Sequence, residues 1–458
     1  MTSPAPPPGP DALARRLRLT DAVIVGLAAM IGAGAFVSLG AGQDLAGVLA
    51  PLAVLVAAVV ALCNATSTAQ LAAQHPASGG VYHFGGKQLG PWWGFLAGWC
   101  FVIGKTASCA AMALVIAAYL VPEPAQRPVA AAVVVVLTAV NLVGITRTAA
   151  LARVLVTIAV TALVLTAARL LVGLGGGAGS PSDGAQGFAA GAPGPLAGAD
   201  AGLWDGGLAA VLGAATGGPL GLALVVAQAA AIMFFAFAGY ARIATLGEEV
   251  ISPRRTIPRA ILLALAAVFV LYVALSIVLV AVGPAPGDQG WGPAPFRTAL
   301  DGVGAGAGWH LIVTVGAIAA AGGALLALVA GISRTMLAMA RESDLPRPLA
   351  QVNQRFSVPQ RAEITAAIAI VLLVLLAGDV LVAVAASSFG VLLYYGVANL
   401  AAFTQRGQWR LFPRALQVLG LIGCLALVAA LPGRTIVAGV GLVLIGVAYR
   451  GAALALRR

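Results

Sequence analysis

Apolar residues in this chain run on for about twenty positions at a time, and charges fall almost entirely between the runs. An α-helix rises about 1.5 Å per residue and a bilayer core is about 30 Å thick, so each run matches one crossing. Twelve runs can be counted, near 20–40, 45–72, 91–121, 127–145, 150–173, 217–247, 258–283, 307–338, 362–379, 380–404, 413–431 and 434–456. The pattern predicts an all-α polytopic membrane protein with twelve transmembrane helices. The ninth and tenth runs are nearly continuous, with a turn expected at Gly378-Asp379, and the last pair turns at Leu431-Pro432-Gly433-Arg434.

Two of the runs are interrupted. The first contains AAMIGAGAF (Ala28–Phe36), and glycine at mid-depth is poor helix material. Lipid leaves no partner for a freed peptide group, so a break is tolerated only where it faces protein, water or a ligand. The sixth run contains IMFFAFAGY (Ile232–Tyr240), ending in Ala238-Gly239. Small-residue packing through Gly26, Met30 and Gly34 is the plainer reading of the first interruption. Breaks in spans one and six, five spans apart, are instead the pattern of an inverted-repeat transporter. Because five is odd, the second half enters from the opposite face. The expected architecture is a 5+5 inverted repeat, spans 1–5 and 6–10, with broken helices 1 and 6 and two peripheral helices.

Composition agrees with a membrane location. Of 458 residues, 61% are hydrophobic and 9% charged, against about a quarter charged in a soluble domain. The net charge of +11 is spread singly through short loops, not gathered into a patch, which argues against a nucleic-acid partner. Its distribution gives orientation. With the N-terminus cytoplasmic, the inner loops collect Arg15, Arg16, Arg18, Lys87, Arg147, Arg254, Arg255, Arg259, Arg341, Arg347, Arg355, Arg361, Arg406, Arg410, Arg414, Arg450, Arg457 and Arg458. The outer side keeps Arg127, Arg297 and Arg434. Both termini are then cytoplasmic in a multi-pass cell-membrane protein. The division is a tail (1–18), a first repeat (19–173), an extracellular Gly-rich loop (174–206), a second repeat (207–404), and spans 11–12 with a short C-terminus (405–458). Four cysteines lie inside apolar runs and read as small buried hydrophobes. His75, His83 and His310 are dispersed, so no catalytic residue, metal site or cofactor is expected.

Four segments in order resemble the amino acid–polyamine–organocation superfamily of permeases. They are Met30–Phe36, MIGAGAF; Pro76–Tyr82, PASGGVY; Phe234–Pro258, FFAFAGYARIATLGEEVISPRRTIP; and Arg334 through Ala338-Met339-Ala340-Arg341 to Leu345-Pro346. The resemblance implies a small-molecule amino acid as cargo. Its carboxylate would meet backbone N–H groups of Gly32, Ala33 and Gly34, and its ammonium the carbonyls near Met30, Phe235, Ala236 and Ala238. Phe235 and Phe237 are gate or pocket candidates, with ordinary aromatic packing as the alternative.

Lys105 lies about 20 Å from either end of the third span, too far for its stem to reach the interface. An intramembrane lysine is a functional candidate, here for coupling to protons or as a fixed cation in place of sodium; a structural lysine capping carbonyls is the alternative. The chain departs from relatives that carry a lysine in span five, and Ala320-Ala-Gly-Gly323 lacks the hydroxyls of the sodium users. No carboxylate adjoins the sixth-span break, which disfavours a cationic cargo. Glu248, Glu249, Arg254 and Arg255, with Asp21, are candidates for an inner gate or a solvated loop. Ser387, Ser388, Tyr394, Tyr395 and Asn399 form a polar stripe in span ten. The expectation is a secondary amino acid transporter for neutral substrates, working by alternating access and open to proton coupling. An exchanger or a non-transporting amino acid sensor is the alternative; oligomeric state is not readable.

Overall fold

The computed structural model describes residues 17–75, 79–143, 149–175, 219–244, 246, 249–284, 290–353, 356, 358–377 and 379–456. Among them there is no strand, only two isolated bridges. The extracellular loop expected at 174–206 lies outside the described residues apart from its first two positions.

The first run is two helices, α1 (Leu19–Met30) and α2 (Ala33–Ala46). Ile31 (φ −79°, ψ 69°) and Gly32 (φ −112°, ψ −148°) between them are not helical. Gly47, at φ +53°, then ends α2 in a conformation that suits glycine. This divides the apolar stretch Ala33–Gln74 into α2 and α3 (Ala50–Gln74). An amphipathic helix, α4 (Gly80–Leu89), leads into the long α5 (Pro91–Leu120), and α6 (Gln126–Leu142) and α7 (Ala149–Gly175) complete the first half.

The sixth run is α8 (Pro219–Phe237), a 3-10 turn at Ala238–Tyr240 and the short α9 (Ala241–Ala244). After it come α10 (Pro253–Val282), α11 (Pro295–Gly302), α12 (Ala307–Arg341), α13 (Gln360–Ala377), α14 (Val380–Thr404), α15 (Arg414–Ala429) and α16 (Gly433–Ala455). Proline opens α5, α10 and α11, where its missing N–H costs nothing. The turn expected before span ten is made by Asp379, whose carboxylate caps α14 by accepting from the Leu381 N–H at 3.0 Å. Each of the twelve predicted runs is helical, and eight helical stretches are long and apolar enough to cross a membrane.

The molecule is apolar outside and carries its polar groups within. Val172, Leu376 and Val437 are 70–81% exposed, a surface suited to acyl chains, whereas Asn64, Ser67, Ser387 and Asn399 are fully buried. Among the helical stretches long and apolar enough to cross a membrane, α5 and α14 are the most buried. They pack backbone to backbone: a Cβ on Gly390 would stand 2.7 Å from the Gly104 Cα. Helix pairings also recur five spans on. α5 packs on α14 as α12 packs on α7, α1 on α10 as α8 on α3, and α1 on α7 as α8 on α14. The pairs α5–α13 and α12–α6 obey the same rule.

One cation expected in a solvated inner loop is placed otherwise. Arg450 is buried on α16, its guanidinium 3.2 Å from Asp344 and stacked over Trp92 and Phe95 at 4.9 and 4.8 Å. It also donates to the Pro91 carbonyl at 2.6 Å, and Tyr82 of α4 donates to the other Asp344 oxygen at 3.1 Å. Ring faces and the carboxylate together compensate the arginine for leaving water, which charge counting along a chain cannot register.

Candidate functional site

The two breaks face one another at the centre of the bundle. A methyl group on Gly34 would overlap the Ala236 backbone, and one on Gly239 would overlap the Ala29 carbonyl. Only glycine lets these segments come so close. Each break exposes peptide groups that a continuous helix would consume. Ala33 and Gly34 open α2, where the first N–H groups of a helix have no carbonyl one turn earlier to bond, and Gly32 offers no side-chain cap. The N–H of Gly32 itself bonds the Met30 carbonyl at 2.8 Å. The C-terminal ends of α1 and α8 present carbonyls instead. Positive and negative poles of helix dipoles therefore meet in one place.

Three side chains from other helices reach those carbonyls. Tyr272 of α10 donates to Met30 O at 2.8 Å and stands 3.3 Å from Ala236 O, so a single hydroxyl bridges the breaks. Tyr395 of α14 donates to Ala238 O at 3.1 Å, and the Lys105 Nζ donates to the same oxygen at 3.1 Å. Lys105 is 4% exposed and, among the described residues, pairs with no carboxylate. The Gly104–Gly390 contact one residue earlier and a 2.6 Å hydrogen bond between Ser108 and Ser387 fix its helix against α14. The site thus holds N–H groups for an anion, carbonyls for a cation, and one lysine.

A family model described as "Amino acid permease" matches residues 21–451. The chain belongs to the amino acid permease family. An uncharacterized transporter of Mycobacterium tuberculosis is 46% identical over 446 residues, covering 96% of this chain and 92% of that one. The branched-chain amino acid permease of Bacillus subtilis is 25% identical, over 77% of this permease and 72% of its own length. The vacuolar cationic amino acid transporter 4 of Arabidopsis thaliana is 26% identical, over 78% and 57%. Among solved structures, MhsT in complex with L-phenylalanine shares the fold at TM-score 0.61 and 16% identity, covering 92% of this permease and 99% of that chain. The relatives are named as transporters and permeases, not as enzymes, and the permease is a multi-pass membrane protein.

Of the aromatic candidates, Phe237 packs edge-on to Tyr272 at 5.2 Å and Phe235 is buried. Phe36 is boxed by Tyr119 and Phe296 at 5.9 and 6.1 Å, and its carbonyl accepts from the Tyr119 hydroxyl. At the end of the sixth span expected to face inward, Glu248 lies outside the described residues. Glu249, Arg254 and Arg255 form no ion pair with one another among the described residues. The Glu249 carbonyl accepts from the Leu17 N–H at 3.0 Å, tacking the N-terminal tail to the segment after span six. Arg254 stacks over Trp409 at 4.8 Å. The ion pair at this end joins Asp21 to Arg153 of α7 at 2.8 Å, a partner the loop charges did not bring forward.

Tyr272 also escaped the sequence reading. A lone tyrosine in an apolar span must find an acceptor for its hydroxyl, and that was its one legible signal. Tyr395 was visible as part of the span-ten stripe, but not which way it faced.

Proposed function

We propose that this permease is a secondary active transporter of neutral amino acids that works by alternating access. The observation that carries the reading is the pairing of opposite helix poles at one buried place: the start of α2, with no side-chain cap, and carbonyls at the ends of α1 and α8. A zwitterion complements both. The break segments 28–36 and 232–241 contain no Asp or Glu, and Lys105 adds a positive charge. Cationic cargo therefore meets repulsion with nothing to offset it, which favours neutral cargo over that named for the Arabidopsis relative. The 5+5 inverted repeat of a twelve-span chain is supported by the helix pairings that recur five spans apart. A cell-membrane location with both termini cytoplasmic rests on the loop cations. Lys105 is the group through which protons would couple, since its ammonium bonds a break carbonyl.

Uptake of labelled alanine, leucine and lysine into proteoliposomes, with and without an inside-alkaline pH gradient, tests this. Alanine or leucine should enter, lysine should not, and the gradient should drive accumulation that Lys105→Ala abolishes. Uptake of lysine in preference to both neutral amino acids would overturn the specificity. Accumulation undiminished in Lys105→Ala would remove the lysine from coupling.

A further inference from the structure

The Ala238 carbonyl is the acceptor at the end of α8, where the helix dipole is negative and a cation is favoured. A carbonyl oxygen has two lone pairs, and here both are taken, by Tyr395 and by the Lys105 ammonium at 3.1 Å each. The lysine in turn has no other hydrogen bond and no counter-ion among the described residues. Its ammonium is thus delivered to one peptide oxygen by a stem whose root is held by the Gly104–Gly390 contact. We infer that Lys105 is a tethered stand-in for the ammonium of the cargo: it fills the cation subsite of the empty permease, and an arriving amino acid must displace it. The inference rests on the proposal that an amino acid binds at the two breaks.

Two consequences follow. Two ammonium groups repel and cannot both bond an oxygen whose second lone pair is held by Tyr395, so cargo and lysine exclude each other there. A carrier with such a stand-in can also close over its site without cargo. Empty return, and hence net transport, then becomes possible; without the lysine, only the loaded form has its carbonyl satisfied by a cation.

The test uses the purified full-length protein, L-leucine, and 4-methylpentanoate, which is leucine without its amine. A site built to bond a polar group usually rejects the analogue lacking it by about 10⁴-fold, because its own groups are left unpaired. With Lys105 supplying the missing ammonium, the wild type should prefer leucine by only about 10- to 100-fold. Lys105→Met should widen that ratio at least tenfold, mainly by binding leucine more tightly. In proteoliposomes the same variant should lose a far larger share of net uptake into empty vesicles than of leucine-for-leucine exchange. A wild-type ratio near 10⁴, or a ratio unchanged in Lys105→Met, overturns the inference. So does an equal loss of exchange and net uptake. Should the variant not purify, the wild-type ratio alone decides. If the wild type binds neither leucine nor alanine, it is the substrate reading that has failed, a result distinct from either of these.

Discussion

Replacing Tyr272 by phenylalanine removes one oxygen and leaves the ring against Phe237. That oxygen donates to Met30 O at 2.8 Å and stands 3.3 Å from Ala236 O, so it ties the first break to the second. Met30 O keeps the Gly32 N–H as a donor, so the loss is that of an ordinary hydrogen bond, about 0.5–1.5 kcal/mol of stability. The longer contact to Ala236 O adds little to it. The two carbonyl ends would also lose the hydroxyl that fixes their spacing. An added 1.4 kcal/mol to reassemble them on binding corresponds to about tenfold in affinity. The expected result for Tyr272→Phe is therefore a slightly lower melting temperature in detergent, with leucine or alanine bound about tenfold more weakly. Thermal unfolding followed by intrinsic fluorescence, repeated over a ligand titration, measures both. A variant that melts with the wild type and keeps its affinity would refute the claim that this hydroxyl organises the site.

Other expectations follow from the same contacts. Gly390→Ala forces a methyl into the Gly104 backbone, so α5 and α14 must part; overpacking of this kind costs about 1–3 kcal/mol, and transport should fall with melting temperature. Asp344→Asn or Arg450→Met removes one charge of a buried pair (side chains 12% and 7% exposed) and should cost about 3 kcal/mol, whereas the double variant should be more stable than Arg450→Met alone. Asp21→Asn breaks a pair whose arginine is 55% exposed, so its effect on melting should stay under about 1 kcal/mol; a larger drop would mean that this pair holds the inner end shut. Between the end of α3 and α4, burial first, then His83 and Lys87, hold His75 below the usual histidine range, and burial and Lys87 hold His83 below it against the opposite pull of Glu342. A base whose folded value is depressed costs stability as pH falls below its unfolded value near 6.5. Melting temperature should therefore decline from about pH 6.5 downward, and His75→Gln with His83→Gln should flatten that slope.

What the sequence determined by itself was everything that hydrocarbon imposes locally. Lipid offers peptide groups no partner, so apolar runs of a fixed length must be helices, and glycine at mid-depth must mark where a helix gives way. The twelve helical runs, the breaks at Gly32 and at Ala238–Tyr240, and the turn at Asp379 were legible for that reason. The approach of the breaks, through Gly34 on Ala236 and Gly239 on Ala29, was not. It depends on residues some two hundred positions apart, and no local period records which faces meet. Along the chain Lys105 stood out as an intramembrane charge and Tyr395 as part of a polar stripe, while Tyr272 did not stand out. Only the packing of α5, α10 and α14 around the breaks decided that all three end on break carbonyls, and only Trp92 and Phe95 decided that Arg450 lies buried and not in a loop. A span's own residues set whether it is a helix; which of its side chains meets a bare peptide group is set by its neighbours.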